Sequence, residues 1–303
     1  MNAMSLNRRQ ALRLGGAAAV TLASLHPLAL RAQAPAPRVV ASFSILADIA
    51  QEIAPEGVQV TALVGRDADA HVYEPSPADG RRLAQADLVL INGLGFEGWI
   101  ERMVKVSGYR GTIAVASQGI QPRTGGHHGA DPHAWQDLAM ARRYAANISA
   151  ALAQRWPGRR DEIARRSADY VARIDRLDAQ VREWLGATPR ELRRVITSHD
   201  AFGYFGAAYG VDFLAPQGWA THSEPSAAAV ARLIRQIRND GVRAIFIENI
   251  SDPRLVERIA REGGARIGGT LYSDALSKPG GPASTYLRMI EHNARSLAAA
   301  LQP

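Results

Sequence analysis

Between Gly158 and Ala187 the chain runs without proline, and without an internal glycine before Gly186. Within that stretch Ile163, Tyr170, Ile174, Leu177, Val181 and Trp184 recur at three, four or seven residues, the period of a helix with one buried face. At 1.5 Å per residue the helix would reach ~45 Å, enough to run the length of a two-lobed protein. The full length of 303 residues agrees, since ~150 residues is an ordinary domain. The spacing therefore predicts a lobe over 35–157, a linking helix over 158–187 and a second lobe over 188–303.

Both flanks alternate in type. Before the long helix, β-branched-rich runs at Val39–Phe43, Val58–Val64, Leu88–Ile91 and Thr112–Ala116 read as strands. Helical patterns at Ile45–Ile53, Pro77–Gln85 and Leu138–Arg155 lie among and after them. After it come strands at Val195–Ser198, Ala244–Glu248 and Ile267–Leu271, with helices at Ala201–Tyr209, Pro225–Asp240, Pro253–Glu262 and Ser284–Leu301. Such alternation implies parallel βαβ units and an α/β fold in each lobe.

Composition removes several function classes. With no cysteine there is no thiol nucleophile, disulfide framework, iron–sulfur cluster or Cys-ligated zinc. The formal charge of +7 resembles a nucleic-acid footprint, but Arg8, Arg9, Arg13 and Arg31 lie in the first 34 residues with no acidic partner. Without them 32 basic residues face 29 acidic ones, and no nucleic-acid partner is expected. Residues 1–34 read as a secretory signal. A basic start precedes a short, small-residue apolar stretch from Gly15 to Leu30, and Ala32-Gln33-Ala34 supplies a cleavage site. Arg8-Arg9 resembles a twin-arginine signal, although Ala11 stands where a bulkier apolar residue is usual. An ordinary Sec signal is the other reading, and either one exports the chain.

Three imidazoles and one carboxylate stand where parallel α/β sheets bind ligands, beyond the C-terminal ends of strands. His71 follows the strand ending at Val64, and His133 precedes a long helix in Asp131-Pro132-His133-Ala134-Trp135. His199 closes the strand Val195–Ser198, and Asp274 follows Leu271-Tyr272-Ser273. Two come from each lobe and could converge between the lobes. The donor types suit a divalent transition metal, although no short ligand motif ties the four together. Two patterns are decoys. Gly93-Leu94-Gly95-Phe96-Glu97-Gly98 fits a dinucleotide loop, but the next strand ends at Ser117 without the acidic residue that would hold a ribose. Ser198-His199-Asp200 sets triad residue types side by side, where they cannot form a relay. His222 reads as a helix-capping residue, with a fifth ligand as the alternative, and His292 reads as surface.

The segments Asp69-Ala70-His71-Val72-Tyr73-Glu74-Pro75-Ser76-Pro77, Asp131-Pro132-His133-Ala134-Trp135 and Thr197-Ser198-His199-Asp200-Ala201-Phe202-Gly203-Tyr204-Phe205 resemble the ZnuA/TroA-like metal-binding solute receptors of ABC importers. The resemblance runs from about Val39 to the C-terminus. It implies two α/β lobes joined by one backbone helix, with one metal in the interlobe cleft held by His71, His133, His199 and Asp274. It further implies a periplasmic, monomeric, non-enzymatic carrier that hands its metal to a cognate permease, with a periplasmic metallochaperone as a possible loading partner. Many zinc-carrying relatives have a long His-rich loop. Here only His127 and His128 stand in that region, either as an auxiliary capture loop or as a chance pair in a Gly-rich spacer. Three imidazoles favour Zn²⁺ over Mn²⁺, since manganese carriers commonly place a carboxylate at the position of His199. The reading from another class is a zinc hydrolase with Asp274 as general base. An unperturbed imidazole pKa of ~6.5 predicts affinity falling below about pH 6, with up to three protons per metal.

Overall fold

The computed structural model describes residues 36–302, except 125–128, 223, 241 and 243. The expected signal at 1–34 and the pair His127 and His128 lie outside the described residues. The first lobe contains a four-stranded parallel sheet of β1 (Arg38–Phe43), β2 (Gln59–Val64), β3 (Leu88–Ile91) and β4 (Thr112–Val115), in the order β2-β1-β3-β4. Helices α1 (Ser44–Ile53), α2 (Pro77–Ala84) and α3 (Ile100–Ser107) connect them, and α4 (Leu138–Arg155) follows. The second lobe repeats this order with β5 (Arg194–Ile196), β6 (Asp212–Leu214), β7 (Ala244–Glu248) and β8 (Arg266–Leu271), arranged β6-β5-β7-β8. Its helices are α6 (Gly203–Tyr209), α7 (Ala227–Asp240), α8 (Pro253–Gly263) and α9 (Tyr286–Leu301). In both sheets the strand order reverses beside the first strand, which opens a crevice at the C-terminal strand ends.

The long helix α5 spans Arg160–Gly186, 27 residues, after a short 3-10 turn at Pro157–Arg159. Its buried stripe is Ile163, Tyr170, Ile174, Leu177, Val181 and Leu185. Leu185 replaces the expected Trp184, because four residues after Val181 keeps the stripe centred on one face. Trp184 sits at the stripe's edge, with the Arg295 guanidinium 4.1 Å from its ring centre. One apolar core runs through both lobes. Val39, Ile45, Phe96 and Trp135 from the first are continuous with Phe202, Phe205, Leu271 and Tyr286 from the second, along α4, α5 and α9. A separate cluster, including Ile196, Ile234, Ile245 and Ile259, packs α7 and α8 on the other face of the second sheet. An apolar junction shared this widely disfavours free swinging of the lobes.

Several boundaries differ from the sequence reading. The edge strand β6 is absent from it, since three residues beginning with Asp212 carry little periodic signal. α7 begins two residues later than Pro225, and its cap is Ser226, whose hydroxyl accepts from the Ala229 amide. His222 therefore lies on a loop ahead of α7 and is not its cap. His292 is half-buried, donating from Nε2 to the Thr270 carbonyl at 3.0 Å and packing edge-on to Tyr272.

The glycine-rich segment after β3 is a structural turn. Gly93 and Gly95 take φ of +84° and +78°, and a Cβ on Gly93 would meet Val115 Cγ1 at 2.5 Å. The amides that would cradle a phosphate are already occupied. Asn92 N and Gly93 N donate to the buried Glu97 carboxylate at 2.5 and 3.1 Å, and Ser42 Oγ donates to it at 2.5 Å. A carboxylate of the chain stands in the place of the anion.

Candidate metal centre

The turns leading into His71 and His133 use the same local device. Asp69 Oδ1 accepts from the His71 amide at 2.8 Å, and Asp131 Oδ1 accepts from the His133 amide at 3.0 Å. This is the Asx-type turn that an Asp two residues upstream supplies, so each Asp-x-His triplet folds its histidine back towards the crevice. Beyond β5, His199 N donates to Glu248 Oε1 at 2.8 Å, tying it to the end of the neighbouring strand β7. Asp274, three residues past β8, is placed from the opposite lobe. Trp135 Nε1 and Gln136 Nε2 donate to the Ser273 carbonyl at 2.9 and 2.7 Å.

The structure brings His71, His133, His199 and Asp274 together, with one donor atom of each within 4.8 Å of all the others. All four are buried, at 5%, 0%, 0% and 0% exposure. His71 Nε2 and His199 Nε2 lie 3.2 Å from Asp274 Oδ2, and His133 Nε2 lies 3.6 Å from Oδ1. Among the described residues none of these nitrogens, nor either Asp274 oxygen, has a partner in hydrogen-bond geometry. Five buried donor atoms thus face one another with only His–Asp274 ion-pair contacts between them, and a cation placed among them would satisfy all five at once. Zinc bonds of ~2.0–2.1 Å to nitrogen and oxygen put tetrahedral ligand atoms about 3.3–3.4 Å apart, close to the 3.2–3.6 Å between the histidine nitrogens and Asp274, while the whole set lies within 4.8 Å.

Two carboxylates that the sequence reading did not assign stand behind the quartet. His133 Nδ1 is 2.9 Å from Asp131 Oδ1, and His199 Nδ1 is 2.7 Å from Glu248 Oε2. At His133 this partner holds the proton on Nδ1 and leaves the Nε2 lone pair facing the site; at His199 the contact is an ion-pair approach without hydrogen-bond alignment. Asp131 was legible in principle from its Asp-x-His spacing. Glu248 was not, because it is neighbour to His199 only through the β5–β7 pairing. His71 has no such carboxylate among the described residues; Phe96 packs edge-on to its ring at 4.8 Å.

These surroundings split the three imidazoles. Burial alone would lower the pKa of His133 and His199. The charges on Asp274 and Asp131 outweigh it at His133, and those on Glu248 and Asp274 at His199. His133 is raised to about 9, and His199 well above its ordinary value. At His71 burial wins over the Asp274 contact and the pKa falls. Burial would raise Asp274, but His133 and His199 hold it well below the carboxylate range. The sign of the pH dependence follows. Protons on His133 and His199 stabilise the metal-free fold fully below about pH 6.5, and this is lost as pH rises through the raised pKa of each, about 9 for His133. A metal ion requires neutral imidazole and gains over that same window. Loading at pH 7 should therefore release about one to two protons per ion, and affinity should keep rising above pH 7. This replaces the simple fall below pH 6 expected from unperturbed histidines. Calorimetry in buffers of different ionisation enthalpy counts the protons, and a count of zero at pH 7 would refute the arrangement.

The family model of ZnuA, described as the periplasmic component A of a zinc-uptake complex, matches residues 39–300. The chain belongs to the ZnuA family. It is accordingly the metal-binding component of an ABC-type metal-uptake system and not an enzyme, and the hydrolase reading of Asp274 finds no support. Among its relatives, the zinc-binding protein TroA of Treponema pallidum is 35% identical over 88% of this chain and 89% of that protein. The solved structure of TroA superposes with a TM-score of 0.85 at 32% identity, covering 88% of this chain and all of that one. The iron-binding protein YfeA of Yersinia pestis is 34% identical over 86% of this chain and 85% of its own length. The manganese-binding lipoprotein MntA of Bacillus subtilis is 30% identical over 88% of this chain and 90% of its own. Membership thus establishes metal uptake, while the relatives' names divide among zinc, iron and manganese.

Proposed function

We propose that this protein is an exported, monomeric receptor that binds one Zn²⁺ through His71, His133, His199 and Asp274 and delivers it to an ABC permease. Residues 1–34 act as the export signal in this reading. The observation that carries it is the set of five buried donor atoms converging from both lobes, none with a hydrogen-bond partner among the described residues. Zinc is favoured by the chemistry of the set. Three imidazoles and one carboxylate suit a tetrahedral borderline ion, whereas manganese prefers oxygen donors and higher coordination. The Irving–Williams order adds to this preference at any nitrogen-rich site. His127 and His128, if they assist, capture metal only transiently, so replacing both with Ala should leave equilibrium affinity within about tenfold, as ligands outside the closed set contribute little.

The test is equilibrium competition at known free Zn²⁺ and Mn²⁺, read by elemental analysis of the protein. Zinc should be retained clearly, and His199→Glu should shift the ratio towards manganese without abolishing zinc. Preferential retention of manganese by the unaltered protein would overturn the zinc assignment while leaving the receptor role intact.

A further inference from the structure

One histidine outside the quartet stands next to it. His222 is exposed on the loop ahead of α7, and its ring centre is 6.2 Å from that of His71. The quartet's own rings are 5.4 to 5.9 Å apart. With zinc–nitrogen bonds of ~2.0–2.1 Å, two imidazoles on one ion have ring centres about 5–6.4 Å apart. The His71–His222 spacing falls inside that range. His71 and His222 also line one surface-open cavity of about 410 Å³, with Tyr73 and Trp99 in its wall.

The juxtaposition is held from both lobes. Asp69 Oδ1 accepts from the His71 amide at 2.8 Å, while Asp69 Oδ2 accepts from Thr221 Oγ1 at 2.5 Å. A single carboxylate thus ties the loop carrying His71 to the loop carrying His222. His71 is also the quartet member best suited to exchange. Asp131 and Glu248 back the rings of His133 and His199, whereas no carboxylate backs His71 among the described residues.

We propose that His222 is a transient exchange ligand, taking the metal ion on the solvent side and passing it to and from His71 through a briefly five-coordinate or shared state. This rests on the quartet being the metal site. A ligand that only lowers the barrier speeds arrival and departure equally, because it is released in the final complex. It therefore leaves the equilibrium affinity unchanged.

The experiment is stopped-flow exchange of Zn²⁺ alone between the full-length exported protein and a fluorescent chelator. In His222→Gln, which keeps a polar side chain but loses a strong zinc donor, association and dissociation should both slow by about tenfold, with Kd within about threefold of the unaltered protein. His222→Glu, which restores a zinc donor, should recover most of both rates. Unchanged rates in His222→Gln, a Kd weakened more than tenfold, or failure of the Glu variant to recover the rates would each overturn the proposal. His133→Ala, run alongside, separates the two readings. Tight zinc binding in that variant would overturn the quartet itself, whereas lost binding there with unaltered exchange in His222→Gln would overturn only the relay.

Discussion

Asp274→Asn should weaken Zn²⁺ binding by at least ~10³-fold at pH 7, with the protein still folded. Replacing a carboxylate behind a ligating histidine typically costs 10–100-fold in affinity, and the loss of a direct ligand must exceed that. Asp274 is moreover the one anion of the quartet, and its two oxygens lie 3.2 to 3.6 Å from all three inward-facing nitrogens. Asparagine keeps the volume and one carbonyl oxygen but withdraws the charge that offsets a buried dication. Its amide also points a donor at imidazole nitrogens or at the ion. The backbone should stay in place, because the Ser273 carbonyl is held by Trp135 and Gln136 independently of the Asp274 side chain. Competition with a calibrated chelator measures the change, and circular dichroism checks the fold. A loss of less than tenfold would mean that Asp274 is a bystander and that three histidines suffice.

The second large effect is on stability. The quartet draws on both lobes and exists only in the folded chain, so an ion bound there stabilises the native state by mass action. Free zinc at a thousand times Kd contributes ~4 kcal/mol, which for a chain of this size is roughly 8–16 °C in Tm if unfolding is near two-state. At fixed free zinc the increment should grow between pH 6.5 and 8, since the protons that the metal must displace from His133, raised to about 9, and from His199 compete less as pH rises. His133→Ala should melt at the same temperature with and without zinc. Scanning calorimetry over that pH range provides the measurement, and a Tm indifferent to zinc in the unaltered protein would remove the case for a site formed by folding.

Local signals were well preserved in the sequence. The apolar period of α5, the Pro77 start of α2 after Ser76, and the β-branched runs of β1, β2 and β3 are properties of neighbouring residues, and they placed the elements within a few positions. Ser76 and Asp79 even form a reciprocal capping box at the start of α2. The Asp-x-His turns at His71 and His133 are local in the same sense. Weak local signals were lost, as with the three-residue edge strand β6 and the true cap of α7 at Ser226.

By itself, then, the amino-acid order determined two α/β lobes and a linking helix, because hydrophobic period and turn chemistry act over a few residues, while the four candidate donors were picked out by the resemblance of their segments to a family. Only the tertiary structure decided which groups face each other. Glu248 meets His199 because β7 pairs with β5. Glu97 fills the glycine turn that would otherwise resemble an anion site. Asp69 draws His222 to the mouth of the centre through Thr221. Each of these contacts joins elements far apart in the chain, and their energies depend on strand order, burial and the electrostatic field of the closed crevice. No window of sequence contains those quantities, since they arise only when distant segments share one low-dielectric interior.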